Sequence, residues 1–251
     1  MNTIQQVRQS QPLIHHLTNQ VVMNFTANGL LAFGGSPIMA KEAIEANAMA
    51  SLANGILINI GTIVEADVEA MLQAGKTANE RGIPVVLDPV GVAATPFRQQ
   101  VIQQLTDAID FTAIKGNIGE MAFLVDVAWK TKGVESLDET ADIMTLKKIA
   151  RKVARKYGAI AVVTGKTDII CQNEIIHTNQ SGHPYLTQIT GAGCLLGSII
   201  TACLTTNSTS IDAVYDALFH YGKAAERAAS KDTVHGTGTF LPHFIDELSI
   251  D

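Results

Sequence analysis

Runs of strand-forming residues alternate with longer runs of helical periodicity along this chain, and this alternation constrains its fold more than any other feature. It predicts central strands at 56–60, 84–88, 111–115 and 159–164. It predicts helices at 21–33, 43–53, 66–80, 96–108, 139–157, 194–205, 211–229 and 240–248. This order is typical of an α/β fold in which helices cover both faces of a mostly parallel sheet.

Two short apolar runs follow the last of these strands, at 168–171 and 174–177, with a polar turn between them. Their spacing predicts an antiparallel hairpin at one edge of the sheet. With 251 residues, of which 47% are hydrophobic, the chain can bury a large core, and α/β domains of this length are often single. We therefore expect residues 1–251 to form one domain.

Charge and cysteine content argue against several classes of function. A net charge of −6 disfavours a nucleic-acid surface, and the basic residues between 147 and 156 have the spacing of a solvated helix face. The N-terminal sequence has no signal pattern, and no apolar run approaches the roughly 18 residues that span a bilayer, so we expect a cytoplasmic protein without membrane contact. Cys171, Cys194 and Cys203 show no CxxC spacing, which argues against a disulfide framework or a zinc site.

A glycine-rich turn precedes an apolar run in the segment Thr190-Gly191-Ala192-Gly193-Cys194. Two glycines let the backbone approach a ligand, and the amide groups at the start of the following helix would face an anion. A thiol at that positive end is expected to be acidified, which suggests a proton acceptor or a nucleophile at Cys194. A tight turn before a core helix explains the same residues, and the segment alone leaves both interpretations open.

Polar residues and glycines follow each of the four central strands, in the segments 59–62, 88–91, 115–117 and 164–165. Ligands of open parallel sheets bind beyond the carboxyl ends of the strands. Each segment alone is explained by a turn or a helix cap. Together they predict one crevice that also includes Gly191 and Cys194.

Charged residues at these strand ends favour phosphoryl transfer. Asp88 and Glu120 are the two carboxylates nearest the strand ends, and Mg²⁺ bound to phosphates needs one or two carboxylates with water. Lys115 adds a cation for a phosphate chain. Asn117 and Glu120 also fit a helix N-cap with a capping box, so a structural role for this pair stays open.

Several segments, taken in order along the chain, resemble those of hydroxyethylthiazole kinases. They are His16-Leu17-Thr18-Asn19-Gln20-Val21-Val22, Asn24-Phe25-Thr26-Ala27-Asn28, Gly35-Ser36-Pro37-Ile38-Met39-Ala40, Asn59-Ile60-Gly61-Thr62, Leu87-Asp88-Pro89-Val90-Gly91-Val92 and Thr190-Gly191-Ala192-Gly193-Cys194. The resemblance implies a ribokinase-like three-layer α/β/α sandwich. It also implies transfer of phosphate from ATP, with Mg²⁺, to 4-methyl-5-(2-hydroxyethyl)thiazole in thiamine salvage, and a homotrimer with the thiazole site between subunits.

The resemblance implies roles for individual residues. Met39 and Gly191 would contact the thiazole, and Asn19 and Asn24 would lie on the same substrate side. Lys115 and Thr164 would bind ATP together with Asn117, and Glu120 with Asp88 would organise Mg²⁺. Ala192 and Gly193 would extend the anion hole that begins at Gly191. Cys194 stands where most ribokinase-like kinases carry a general-base Asp, and Lys115 stands where Arg is frequent in the family.

Two other functions fit part of this pattern. One is a ribokinase-like enzyme that uses ATP or ADP to dehydrate a hydrated nicotinamide cofactor, although such enzymes carry Asp where Cys194 stands. The other is a thiazole-binding protein without catalysis. We expect the adjacent His15 and His16 to be structural or to line the substrate shell, since neighbouring side chains point in different directions. We expect His183 to fix a turn.

Overall fold

A computed structural model of the chain describes residues 1–129, 142–206 and 210–250. Within them, eight strands form one sheet: β1 (Leu13–Leu17), β2 (Ser36–Ile38), β3 (Gly55–Asn59), β4 (Val85–Asp88), β5 (Ala113–Asn117), β6 (Ile160–Thr164), β7 (Asp168–Gln172) and β8 (Ile175–Asn179). The strand order is β2-β1-β3-β4-β5-β6-β7-β8. Pairing is parallel from β2 through β6 and antiparallel from β6 to β8, which confirms the predicted edge hairpin.

Helices cover both faces of the sheet. They are α1 (Thr3–Ser10), α2 (Met23–Phe33), α3 (Ala43–Leu52), α4 (Glu65–Glu80), α5 (Pro96–Ala108), α6 (Ile118–Leu124), α7 (Ile143–Tyr157), α8 (Ala192–Leu204), α9 (Ser210–Ala229) and α10 (Thr237–Leu248). One apolar core lies between the sheet and α3 to α7, and a second lies between the sheet and α1, α2 and α8 to α10. This arrangement confirms the predicted three-layer α/β/α sandwich.

The central strands agree with prediction to within one residue at each end, except for β5. The predicted strand 111–115 is wrong by two residues, because β5 runs from Ala113 to Asn117. Phe111 packs in the core ahead of the strand, and the hydroxyl of Thr112 accepts a hydrogen bond from the Val85 amide. Lys115 consequently lies at the middle of the strand instead of its end.

Strands β1 and β2 and helix α1 are absent from the predictions. β1 carries two adjacent histidines, and β2 has only three residues, one of them Pro37, so neither gives a strong strand signal. Of the predicted helix 139–157, residues 139–141 lie outside the described residues. The described helix begins at Ile143 after the N-cap Asp142, whose side chain accepts a hydrogen bond from the Met144 amide.

Helix α8 is apolar on almost every side because it is buried between the sheet and the helices of its layer. Gly197 makes this packing close, since a Cβ there would lie 3.2 Å from a methyl of Leu57. The strand register and this packing bring the start of α8 to the carboxyl ends of β3 and β4.

Other sequence predictions concern the surface and the cysteines. The three cysteines are all buried and free. The basic stretch in α7 lies on an exposed helix face, with Lys148, Lys152 and Arg155 all exposed. Across the described ranges, none of the helices combines the length and apolar character needed to cross a bilayer.

Candidate active site

A buried network of side chains joins the ends of three strands to the start of α8. The Asn59 amide nitrogen lies 2.9 Å from Asp88 Oδ2 and 3.2 Å from Cys194 Sγ. The amide oxygen of Asn59 accepts hydrogen bonds from Asn19 Nδ2 and from the Gly61 amide. Asn19 Nδ2 also lies 3.3 Å from Cys194 Sγ, so both amides donate toward the same sulfur. Asn59 was predicted only as part of a polar strand end, yet it is the centre of this network.

Asp88 and Lys115 form an ion pair beneath the first turn of α8. Lys115 Nζ lies 3.1 Å from Asp88 Oδ2, and the two side chains are only 5% and 1% exposed. The same nitrogen donates to the Gly193 carbonyl at 3.1 Å. Burial opposes the charge of Lys115, but the negative groups around it, Asp88 first, outweigh burial and raise the pKa of the ammonium. Lys115 therefore stays protonated and places a fixed positive charge beside α8.

The second oxygen of Asp88 matches what a cation or an ordered water would need. Oδ1 is buried and has no hydrogen-bond partner among the described residues. No group of three or more His, Cys, Asp or Glu side chains in that part of the chain could hold a metal ion alone. A site with few carboxylates fits Mg²⁺ that keeps water and phosphate oxygens as its other ligands.

Glu120 lies at the start of α6 and bridges two loops. Its carboxylate accepts the Asn117 amide at 2.8 Å and the Gly91 amide at 2.9 Å. The Asn117 side chain caps the Glu120 amide in return, so the capping box is present. Burial, followed by the charge of Asp88, raises the pKa of Glu120 to about 7. The structural interpretation of this pair is confirmed, and a metal role remains a prediction.

The backbone conformation of Gly191 shapes the start of α8. Gly191 has φ +92°, and a Cβ there would lie 2.5 Å from Val22 Cγ1, so this position requires glycine. The amide groups of a first helical turn have no acceptor within the helix, and the helix dipole favours an anion in front of them. The Tyr221 hydroxyl donates to the Ala192 carbonyl at 2.7 Å, which fixes the turn from α9.

The expected acidification of Cys194 is wrong. Burial, reinforced by the nearby charge of Asp88, raises the pKa of this thiol to about 11, despite Lys115 and the amides of Asn59 and Asn19. The desolvation of the sulfur outweighs the favourable end of the helix dipole. The thiol is therefore neutral at physiological pH.

Arg98, which the sequence did not point to, joins two loops around the site by hydrogen bonds. The guanidinium of Arg98 donates to the carbonyls of Gly61 and Val90, at 2.6 and 2.8 Å. These carbonyls belong to the loops that follow β3 and β4. Arg98 lies in the first turn of α5, where nothing in the local sequence distinguishes it from a surface residue.

The remaining predicted residues lie around the network without joining it. Thr164, the last residue of β6, donates to the Gly116 carbonyl at 3.2 Å. Met39 is half-buried just past β2, and Asn24 is exposed and bonded to Asn28 within α2. His183 caps the 3-10 helix Pro184–Gln188 through its bond with the Tyr185 amide, which confirms its role in a turn.

Sequence comparison identifies the family to which this chain belongs. A model described as the hydroxyethylthiazole kinase family matches residues 4–250. The chain belongs to this family. A hydroxyethylthiazole kinase 1 from Oceanobacillus iheyensis is 55% identical over 251 residues, a match that covers 99% of this chain and 95% of that protein. The protein is therefore a kinase.

Solved structures agree with this assignment. A hydroxyethylthiazole kinase protein from Pyrococcus horikoshii has a TM-score of 0.87 and 34% identity, with 98% of this chain and 91% of that chain covered. A ribokinase-like superfamily protein from Enterococcus faecalis has a TM-score of 0.63 at 13% identity, with 95% and 88% covered. The second likeness concerns the fold alone. This chain thus shares its architecture with a ribokinase-like protein.

Proposed function

We propose that this kinase transfers phosphate from ATP to the hydroxyl of 4-methyl-5-(2-hydroxyethyl)thiazole. The observation that carries the proposal is the position of the charged Lys115 beside the first turn of α8, which begins at Gly191. The chain also belongs to a family of kinases for this substrate. A cation and a row of backbone amides at one point suit a phosphoryl group, whose charge spreads over its oxygens in the transition state.

The nucleotide side of the site consists of Lys115, Asn117 and Thr164. Their strands are neighbours, and Asn117 and Thr164 are paired in the register of β5 and β6. We assign the triphosphate to the carboxyl ends of β5 and β6, with its γ-phosphate in front of the amides of Ala192 and Gly193. Lys115 neutralises charge there as a point cation, because an ammonium cannot form the two parallel bonds of a guanidinium.

Asp88 and Glu120 are the residues that would hold Mg²⁺. The chemistry that Mg²⁺ would supply at these residues is positive charge, which would neutralise part of the charge of the phosphate chain. The unpartnered Oδ1 of Asp88 suits a direct ligand or a water-mediated one. Both Glu120 oxygens already accept backbone amides, so we assign Glu120 to bonds with metal-bound water.

The substrate side consists of Met39, Asn19, Asn24 and Gly191. A thioether is polarizable and adaptable, which suits a sulfur-containing aromatic ring. We propose a cytoplasmic homotrimer in which Met39 lies at a subunit interface. The chain is proposed to act as a single domain.

Cys194 would lie beside the substrate hydroxyl. With a pKa of about 11 its thiol is protonated at pH 7 and only a trace of thiolate can accept a proton, so its main contribution would be a hydrogen bond that orients the alcohol. Phosphoryl transfer through a loose transition state gains mostly from orientation and charge neutralisation, and a weak base is sufficient.

A direct assay tests the proposal. Incubation with the thiazole alcohol, ATP and Mg²⁺ should give one thiazole monophosphate and one ADP, both visible by ³¹P NMR. The matched control is 4-methyl-5-ethylthiazole, which lacks the hydroxyl and should give no product. Dehydration of hydrated NADH, without thiazole phosphorylation, would favour the alternative enzyme. Binding of the thiazole alcohol without turnover would favour a binding protein.

A further inference from the structure

Two adjacent histidines in β1 hold the backbone on both sides of Met39. His15 Nε2 lies 2.6 Å from the Ala40 carbonyl oxygen. His16 Nδ1 lies 2.9 Å from the Ile14 carbonyl oxygen and 3.3 Å from that of Ile38. Both rings are buried, at 0% and 1% exposed. The carbonyls that precede and follow Met39 are thus each contacted by a histidine.

The protonation of both rings follows from these partners. A carbonyl oxygen only accepts, so His15 carries its proton on Nε2 and His16 carries its proton on Nδ1. Burial lowers the pKa of both rings, to about 4 for His16, and keeps them neutral. Nε2 of His16 is then an acceptor, and it receives the Ser198 hydroxyl at 2.7 Å. Ser198 lies in α8, one turn after Cys194.

The backbone around Met39 needs such support because β2 is a weak strand. It has three residues at the edge of the sheet, and it pairs only with β1. Met39 lies one residue beyond the end of β2, where the sheet pairing has stopped.

We propose that His15 and His16 are positioning residues that fix Met39 against the thiazole ring. The inference rests on the proposed function, in which Met39 contacts that ring. His15 acts from one face of β1 through Ala40, and His16 acts from the other face through Ile38. Because His16 also bonds to Ser198, it links the thiazole side of the site to the helix that binds phosphate.

Paired substitutions at position 15 test the proposal kinetically. Gln places an amide nitrogen near the position of Nε2, whereas Leu has a similar size and no donor. We expect His15→Leu to raise the KM for the thiazole alcohol about tenfold, while the KM for ATP changes less than about twofold. We expect His15→Gln to restore most of the wild-type KM. If His15→Leu does not fold, His15→Asn, whose amide is too short to reach Ala40, takes its place.

A second measurement follows Met39 without any substrate. The chain has seven methionines, and ¹³C-methyl labelling with Met39→Leu as reference assigns the Met39 signal. The signal should shift in His15→Leu and in His16→Leu, and should stay near its wild-type position in His15→Gln and in His16→Asn, whose amide replaces Nδ1.

The two measurements separate the two ideas. If the wild type does not phosphorylate the thiazole alcohol, the proposed function fails, and the methyl spectra still decide whether the histidines position Met39. An unmoved Met39 signal in both leucine variants would overturn the inference. An equal rise of both KM values would overturn it too, since a general loss of structure has that effect.

Discussion

At the scale of single residues, Cys194 shows how burial and a helix N-terminus compete. Helix dipoles stabilise an anion by about 0.3–1 kcal/mol at exposed positions, whereas desolvation of a buried group is a larger effect. Its sulfur is also close to Asp88, whose charge further disfavours a thiolate. The side chain that most resembled a base in the sequence is consequently a neutral hydrogen-bonding group.

Replacement of this thiol should have a modest effect. We expect Cys194→Ala to lower kcat by about 10²-fold or less, because positioned charges provide most of the catalysis. The KM for ATP should be unchanged. Rate measurements from pH 6 to 9 should give profiles of the same shape for both proteins. A thiol limb near pH 8 that is present only in the wild type would contradict the raised pKa.

His16 should make folding sensitive to acid. Its pKa is about 4 in the folded chain, below the value of 6.5 for an unperturbed histidine, so the unfolded chain binds the proton first as the pH falls. The neutral ring therefore costs no stability above pH 6.5, and stability is lost progressively between pH 6.5 and 4. At pH 5 the loss is about 2 kcal/mol.

His16→Asn removes this titration while keeping a donor at the Nδ1 position. The difference in unfolding free energy between variant and wild type, from urea titrations at pH 7.5 and pH 5, should shift in favour of the variant at the lower pH. A difference independent of pH would show that His16 titrates normally in the folded chain.

At the scale of elements, the central strands could be predicted because they are short, apolar runs bounded by polar residues. The polar residues that follow these strands could also be assigned to one end of the sheet, since parallel strands bring their carboxyl ends together. The partners within the site could not be predicted. The pairing of Lys115 with Asp88 depends on the register of β4 and β5, and the place of Asn59 depends on how closely α8 packs.

The contributions of Asp88 and Lys115 to the free energy of unfolding should be strongly coupled, because the two side chains form a buried ion pair. Asp88→Asn is expected to lower the free energy of unfolding by about 3 kcal/mol, because it leaves the Lys115 ammonium buried without a counter-charge. Adding Lys115→Met removes that ammonium and should restore most of the lost stability, but not activity. Urea unfolding of the four proteins gives the coupling energy, and additive losses would contradict a buried pair.

At the scale of the whole molecule, apolar side chains are exposed near one edge of the sheet. Ile44 and Leu52 of α3 are 98% and 67% exposed, and Val21 and Leu31 lie exposed in or near α2. The proposed trimer would cover some of these side chains, since exposed apolar patches mark contact surfaces. These residues lie close in sequence to Met39, in agreement with the proposed interfacial pocket.

A charge on α3 should therefore dissociate the proposed trimer. We expect sedimentation to give a trimer for the wild type and smaller species for Ile44→Glu, with a parallel loss of turnover. Ile175→Glu is the matched control, because Ile175 is an exposed isoleucine of β8 at the opposite edge of the sheet. A trimer that survives Ile44→Glu, or that only Ile175→Glu disrupts, would place the interface elsewhere.

The two edge strands of the sheet, β2 and β8, differ in how readily they could pair with a strand of another molecule. Pro37 leaves the short β2 without a central donor, so a foreign strand finds few groups to pair with at that edge. β8 is longer and presents an exposed isoleucine at its start. Edge strands of that kind are where aggregation through strand addition begins. In concentrated preparations we consequently expect association to begin at β8, far along the sheet from the residues proposed to bind the thiazole.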